Sequence, residues 1–437
     1  MNWKIKNLLA LVLMCYSFQG VAQQTLSLQN IIDEALKANF DIAIVANDLK
    51  AADNLATKGQ AGYYPSVNLN GNANYSLNNT TLTFAGGIPD AEVDGAQNTS
   101  LRANIGFNYV VFDGFGRVNS YQNLIATKTL NEVQSKVVAE NLVLECVDLY
   151  LGIQQNLLNL NAAKENLIIS EDRLKRVSIG QKNGARSKLD VLSAKLDLKN
   201  DSLAIANLEN VIVKQKGSLN ILMSEDPGSV INVSEQIDVP QLGNIFEIEN
   251  QALANSSSLA LAQVSQTIAT NQARIIEGNR MPSIVANGGY GYTTAQNGAG
   301  IVLSQNNLGF NAGLTFTMPI FNGNQLTTAL KNAELNRQSS EIELQKAELT
   351  IKNQLFAAEE DSKLLSLSIS TQQENVNLAS QALKQAQANY NNGQIIFNDL
   401  RVAQLNLLVA QNRLNEVRID YVRLYYTVSR LSGGLLN

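Results

Sequence analysis

The sequence predicts an internally duplicated α+β membrane protein, with four transmembrane β-strands and two long α-helical hairpins in one chain. Three observations lead to this fold class. Short motifs in the first half of the 437 residues recur in the second half at a nearly constant distance. Four segments alternate apolar with small polar side chains, as strands with two different faces do. Long segments without proline repeat apolar residues every seven positions, as packed helices do.

The segment 1–22 has the pattern of a secretory signal peptide. It contains a basic start at Lys4 and Lys6, an apolar run from Leu8 to Tyr16, and the small residue Ala22 at the end. We expect cleavage after Ala22. A membrane anchor is the alternative, but an anchor needs about 20 consecutive apolar residues and this run is roughly half as long.

The composition excludes most enzyme chemistry. The chain has no histidine and two cysteines, and Cys15 lies in the predicted signal peptide, which leaves Cys146 alone in the mature chain. Histidine-based catalysis, zinc sites and intrachain disulfides are thereby excluded, and we expect no enzyme activity, no metal and no cofactor. A site built from carboxylates alone stays open in principle. Without Lys4 and Lys6, the 33 basic residues become 31 against 38 acidic ones, a net charge of −7 that disfavours nucleic acid as a partner.

The duplication covers the whole mature chain. Val111–Gly114 returns as Ile320–Gly323, and the distance from Val111 to Ile320 is called the exit offset. Pro65–Val67 returns as Pro282–Ile284, and the slightly larger distance from Pro65 to Pro282 is called the proline offset. The second copy is therefore shorter by about eight residues between its proline and its Phe-Asn-Gly motif, and a length difference of this kind indicates a surface loop.

We place the first repeat at 23–223 and the second at 246–437, so that 23–437 forms one structural unit. Residues 224–245 connect the repeats and contain helix-breaking Pro227 and Pro240. Val230–Val233 could form a short strand. A plain linker and a packed element fit this connector equally well.

The four alternating segments are predicted strands with an apolar and a polar face. In the first of them, Leu69 and Tyr75 share one face, and Asn68 and Asn70 share the other. The segments lie at 66–77, 100–111, 284–293 and 308–316.

Strands of this length fit a membrane barrel. A strand of 10 to 12 residues spans about 33–40 Å, and a tilt near 45° reduces its vertical reach to roughly the bilayer core. A soluble β-sandwich is the alternative, but sandwiches use about seven strands or more, without long helices between them. Four strands cannot close a barrel, so the chain is expected to form oligomers. Two copies would supply eight strands and three would supply twelve, and the pattern alone does not choose between them.

Helices fill most of the remaining chain. Asp113 to about Gly180 contains no proline and repeats apolar residues every seven positions, which predicts one helix of about 65 residues. A heptad pattern beginning at Val191 predicts a shorter helix that returns along it, and the same pattern begins again at Leu400. Each repeat also opens with a predicted helix, Leu26 to about Gln60 and Phe246 to about Gly278.

Two sets of motifs carry a resemblance to a known family. They are the strand exits Val111–Gly114 and Ile320–Gly323, and the helix turns Asn183–Ala194 and Tyr390–Leu400. In order and spacing, these segments resemble the TolC-like outer membrane efflux proteins. The resemblance implies a trimer whose 12-stranded β-barrel in the bacterial outer membrane is continuous with a periplasmic α-helical barrel. It also implies two partners, a periplasmic adaptor (membrane fusion) protein and an inner-membrane transporter.

The resemblance also implies a gate at the periplasmic entrance. By position in the family motif, Asp190 and Tyr390 resemble partners in a hydrogen bond between neighbouring hairpins. Asp399 similarly resembles a member of an acidic ring at the tunnel entrance. The sequence departs from the family pattern at Ile395 and Val402, where some relatives have an arginine and a second aspartate.

The same residues have structural interpretations. Ser187 and Asp190 have the spacing of a capping box, which by itself would explain Asp190. Ile396 replaces the corresponding serine before Asp399, so Asp399 is expected to lack this capping role. Tyr390 could anchor the helix end by packing.

Two glycines are predicted to end the long helices. Gly184 and Gly393 are expected to adopt left-handed cap conformations. They also lie at the helix tips, where an adaptor would make contact.

Together these features predict a passive export conduit for a tripartite efflux pump or a type I secretion system. The alternative is a structural or adhesive coiled-coil protein of the cell surface. That alternative leaves the four asparagine-lined strands unexplained.

Overall fold

The structure is a computed structural model that describes residues 26–436. The predicted signal peptide, 1–22, lies outside the described residues. Among the described residues, none of the helices has a stretch that is long and apolar enough to cross a membrane.

The first repeat contains four helices and two strands. Two short helices lead into a β-hairpin, and a long helix and a shorter returning helix follow. These elements are α1 (Leu28–Ala38), α2 (Phe40–Leu55), β1 (Ser66–Leu82), β2 (Ala91–Asp113), α3 (Gly116–Lys182) and α4 (Lys188–Leu222).

The second repeat has the same order of elements. They are α5 (Ile245–Asn255), α6 (Ser257–Gly278), β3 (Ser283–Gln296), β4 (Ser304–Thr317), α7 (Gln325–Asn391) and α8 (Phe397–Leu431). Both long helices have 67 residues and both returning helices have 35, and the exit offset separates each helix end from its counterpart. The predicted long helices are confirmed. The limits proposed for the two repeats stay a prediction.

The opening helices differ from the prediction. Each repeat was expected to begin with one continuous helix, but Asn39 separates α1 from α2 and Ser256 separates α5 from α6. Both residues have extended backbone, with ψ of 136° and 126°. The Asn39 side chain accepts a hydrogen bond from the Asp41 amide (2.8 Å) and donates one to the Leu222 carbonyl (2.9 Å). This asparagine thus stabilises a helix break that hydrophobic periodicity does not reveal.

The four predicted strands form one antiparallel sheet in the order β1-β2-β3-β4. Every strand is longer than the alternating segment that predicted it, and β2 reaches 23 residues. β1 and β4 are the two edges of this sheet, and both are exposed along nearly their whole length.

The described chain folds into two compact units that do not coincide with the repeats. The first unit contains 26–46, 135–257 and 348–436, and the second contains 47–134 and 258–347, including the whole sheet. The core of the first unit lies where four elements meet. Ile31 of α1, Ile153 of α3, Leu219 of α4 and Ile419 of α8 are all fully buried there.

The connector between the repeats is a packed element and not a plain linker. Ile231 and Val233 are buried in the core of the first unit. The Gln154 side chain of α3 donates hydrogen bonds to the carbonyl groups of Ser234 (2.9 Å) and Gln236 (2.7 Å). These bonds satisfy the extended backbone of the connector, as buried segments require.

Candidate functional site

The candidate site is formed by the two helix tips, which are the turns between α3 and α4 and between α7 and α8. All the site residues predicted from the sequence lie at these turns. The turns belong to the first unit, so their side chains can be compared directly.

Both turns are closed by a glycine in the left-handed conformation. Gly184 has φ of 77° and Gly393 has φ of 72°. The amide after each glycine donates to a carbonyl five residues earlier, from Ala185 to Gly180 (2.8 Å) and from Gln394 to Asn389 (2.9 Å). These bonds are typical of Schellman caps. The predicted cap conformations are thereby confirmed.

Asp190 forms the capping box that the sequence suggested. Its Oδ2 accepts hydrogen bonds from the Ser187 amide and hydroxyl, both at 2.9 Å, and its own amide donates to Ser187 Oγ at 3.1 Å. The Ser187 amide, followed by its hydroxyl, lowers the pKa of the Asp190 carboxyl. In this structure the carboxylate therefore stabilises the start of α4.

Asp399 also caps its helix, although it was expected to lack this role. Its Oδ2 accepts a hydrogen bond from the Ile396 amide at 3.3 Å. Ile396 has no hydroxyl to complete the box, so the Asp399 amide bonds to the Ile396 carbonyl instead (3.2 Å). A carboxylate at this position needs only a backbone N–H as partner, which the sequence argument overlooked. The carboxylate at the second tip therefore accepts one capping hydrogen bond, whereas the carboxylate at the first tip accepts two.

Tyr390 packs at the end of α7. Its ring meets Phe397 edge to face with 6.2 Å between the centroids, and the Arg186 guanidinium lies 5.3 Å from its centroid. The residue is nine-tenths buried. Asp190 and Tyr390 thus have other partners within this chain, and the hydrogen bond expected between neighbouring hairpins stays a prediction.

A largely buried polar network behind the tips was missed by the sequence argument. Arg401 of α8 binds Asp201 of α4 through both terminal nitrogens, at 2.8 and 3.2 Å. The same guanidinium lies 3.3 Å from Ser170 Oγ of α3, and Ser170 donates to Asp201 at 2.6 Å. This network, defined as Arg401, Asp201 and Ser170, joins the returning helix of the second repeat to both helices of the first hairpin.

A buried arginine, Arg173, lies beside this network. Arg173 of α3 forms an ion pair with Asp197 of α4 and stacks on the Phe397 ring. Burial lowers the pKa of Arg173, and the hydrogen bond that Arg173 donates to the Asp197 carboxylate opposes that shift. Nε and Nη2 of Arg173 have no hydrogen-bond partner among the described residues, and neither has the side-chain amide of Gln404. These groups line a cavity of about 10 Å³, which is the size of a single water site.

One sequence signal could have revealed this network. Asp201 lies one heptad after Ala194, so the heptads that begin at Val191 place it on the same face of α4 as this fully buried alanine. A charged residue on the packed face of a helix indicates a buried polar pair.

The chain, including both helix tips, is similar to known proteins. A family model described as "Outer membrane efflux protein" matches residues 31–223 and 249–434. The outer membrane protein TolC of Escherichia coli strain K12 is 22% identical over 418 residues, which cover 91% of this chain and 80% of TolC.

Two solved structures have a similar fold. The outer membrane protein VceC of Vibrio cholerae has a TM-score of 0.77 at 18% identity, covering 94% of this chain and 97% of VceC. The CmeC outer membrane channel of Campylobacter jejuni has a TM-score of 0.78 at 17% identity, with coverage of 93% and 86%. The family model extends over nearly the whole chain and includes both tips.

Proposed function

This chain belongs to the outer membrane efflux protein family and is a protein of the outer membrane, and from this premise we propose that it is a passive export conduit that works as a trimer. Cargo would pass through a β-barrel continuous with a periplasmic tunnel of helices. Energy would come from an inner-membrane transporter joined to the conduit by a periplasmic adaptor. Membership of the family favours this function over a surface coiled-coil protein.

The four-stranded sheet with two unpaired edges carries the proposal. β3 and β4 have 14 residues each, so they are about 46 Å long and would span about 33 Å at a 45° tilt. Edge N–H and C=O groups cannot remain unpaired in lipid, so four strands need further copies. Three copies give twelve strands, within the range of known outer-membrane barrels.

Bilayer recording of the purified protein tests the conduit. The detergent-solubilised trimer, added to a planar lipid membrane, is expected to give discrete conductance steps. Migration on a gel before and after heating measures the oligomer in the same sample. A protein that stays monomeric and conducts no ions would refute the proposal.

We further propose that the helix tips form the periplasmic gate. The Asp399 carboxylate accepts a single hydrogen bond, so its charge would remain available to cations at the entrance. Replacing Asp399 by Ala should weaken the block of the channel by trivalent cations added on the periplasmic side. Asp190→Ala is a second variant that should weaken the block less, because the Asp190 carboxylate accepts two hydrogen bonds in its cap and the Asp399 carboxylate accepts one. An equal block in wild type and Asp399→Ala would contradict the acidic ring.

The same recordings test Tyr390. If its hydroxyl bonds Asp190 of a neighbouring hairpin in the closed trimer, Tyr390→Phe should raise the resting conductance while leaving the ring packed on Phe397. Unchanged currents would restrict Tyr390 to a packing role.

The turns at Gly184 and Gly393 are the surface that we assign to the adaptor.

A further inference from the structure

The duplication extends to the pairing of the strands. In the first repeat Val67 of β1 lies opposite Phe107 of β2, and in the second Ile284 of β3 lies opposite Phe316 of β4. Val67 and Ile284 are equivalent positions of the two repeats, because the proline offset separates them. Phe107 and Phe316 are equivalent as well, because the exit offset separates them. The two hairpins therefore have the same register up to Asn78.

β2 and β3 form the seam between the two repeats. Phe107 of β2 lies opposite Gly288 of β3. The phenylalanine ring covers the glycine so closely that a Cβ on Gly288 would lie 2.5 Å from the Phe107 ring. Only glycine fits below the ring. The contact is a cross-strand pair of the kind that pins register in sheets.

The counterparts of this pair lie on the two open edges. Phe316 of β4 corresponds to Phe107 by the exit offset, and Gly71 of β1 corresponds to Gly288 by the proline offset. Within the chain they lie on opposite edges of the sheet. Phe316 is 65% exposed, and a Cβ on Gly71 would approach no atom closer than 4.0 Å. Among the described residues, none explains a glycine in this apolar strand face.

A second pair is preserved in the same way. Ala103 lies opposite Tyr292 in the seam of β2 and β3. Their counterparts on the open edges are Ala312 and Tyr75, which are again an alanine and a tyrosine. Two cross-strand pairs thus keep their residue types at positions that do not meet within one chain.

We propose that β4 of one copy pairs antiparallel with β1 of a second copy in the register of β2 on β3. In this arrangement Phe316 covers Gly71 of the neighbouring copy, and Leu314 faces its Ala73. The inference rests on the multi-copy barrel proposed above and specifies how that barrel closes. A slip of one residue would turn every apolar side chain to the polar face, so the register is strongly selected.

Disulfide cross-linking of the full-length protein in outer membranes tests the register. Leu314→Cys with Ala73→Cys and Thr315→Cys with Asn72→Cys are two neighbouring pairs, one of which must be the close pair of an antiparallel ladder. We expect mild oxidation to join the majority of subunits into covalent dimers and trimers for at least one of these variants. The natural Cys146 should not interfere, because it is fully buried and burial raises the pKa of its thiol to about 12.

Two matched variants control the experiment. Ile105→Cys with Tyr290→Cys is the equivalent pair within one chain, so it should form a disulfide without any covalent oligomer. Leu314→Cys with Tyr75→Cys shifts the register by two residues and should remain uncross-linked, because diagonal residues lie about 7–8 Å apart.

The outcomes separate this inference from the proposed function. A conducting trimer that cross-links in the shifted variant, or in none of the intersubunit variants, would overturn the register and leave the conduit intact. A non-conducting monomer would refute both.

As a second measure, Gly71→Phe should reduce the heat-resistant trimer, and adding Phe316→Gly should restore part of it. Failure of the second change to restore any trimer would count against the Phe316–Gly71 contact.

Discussion

The two helical hairpins have identical lengths but different interiors. α3 of the first repeat is buried against α1, α4, α8 and the connector, whereas α7 of the second repeat is mostly exposed. Glu140 on α3 is buried and accepts a 2.6 Å hydrogen bond from Ser257, whereas its counterpart Leu349 on α7 is exposed. The arginine network behind the tips also has no copy, because Asp201 corresponds to Ala410 and Arg401 to Leu192. After duplication, helix length was maintained while the packing roles of the two hairpins diverged.

The largest difference is expected in the core. Ile153→Ala should lower the free energy of unfolding by about 4 kcal/mol, because a fully buried side chain leaves a cavity. Leu349→Ala, on the exposed face of α7, should cost less than about 1 kcal/mol. Denaturant unfolding in detergent measures both. Equal losses would mean that another copy covers α7, so that the difference between the hairpins disappears in the oligomer.

The network behind the tips should give the next largest effect. Arg401→Ala removes the ion-pair partner of the largely buried Asp201 carboxylate and leaves it only the hydrogen bond from Ser170, which should cost about 3 kcal/mol. Leu192→Ala, at the equivalent position of the first repeat, is an exposed control. Adding Asp201→Ala to Arg401→Ala should cost little more, because the pair is already broken. Fully additive losses would show that the two side chains do not act as a pair.

The glycine caps should respond alike in both repeats. Gly184→Ala and Gly393→Ala place a side chain in the left-handed region and should each destabilise the tip by about 1–2 kcal/mol. Neither added Cβ would meet an atom within 4 Å, so the cost comes from the backbone alone. Hydrogen exchange of the tip amides measures local opening. A clear difference between the two variants would show that the tips are packed differently in the assembly.

The smallest effect concerns the cap of the first tip at low pH. Since its cap hydrogen bonds lower the folded-state pKa of Asp190, the stabilisation is present above the unfolded pKa near 4 and is lost as pH falls through the folded value. After correction for the intrinsic pH dependence of exchange, the protection of the amides at the first tip should therefore fall below about pH 4, and Asp190→Asn should remove this dependence. An acid response of the same size in Asp190→Asn would show that another group is responsible.

Local patterns were sufficient for the elements and insufficient for the contacts between them. Period-two alternation located all four strands, and the heptads located both hairpins to within a few residues. The breaks at Asn39 and Ser256 escaped because single residues with extended backbone leave the surrounding periodicity unchanged. The cap bond of Asp399 escaped because its donor is a backbone N–H, which the identity of residue 396 does not affect.

The sequence by itself determined the duplication, the strand faces and the lengths of the long helices, because these depend on periodicity and spacing along the chain, and its motifs indicated the family. Only the tertiary structure decided that the connector is packed, that Asp190 and Asp399 both cap helices, and that Arg401 reaches Asp201 from the other repeat. The physical reason is that periodicity assigns a side chain to a face but does not name its partner. Partners depend on how helices from different repeats are brought together, which no local pattern records.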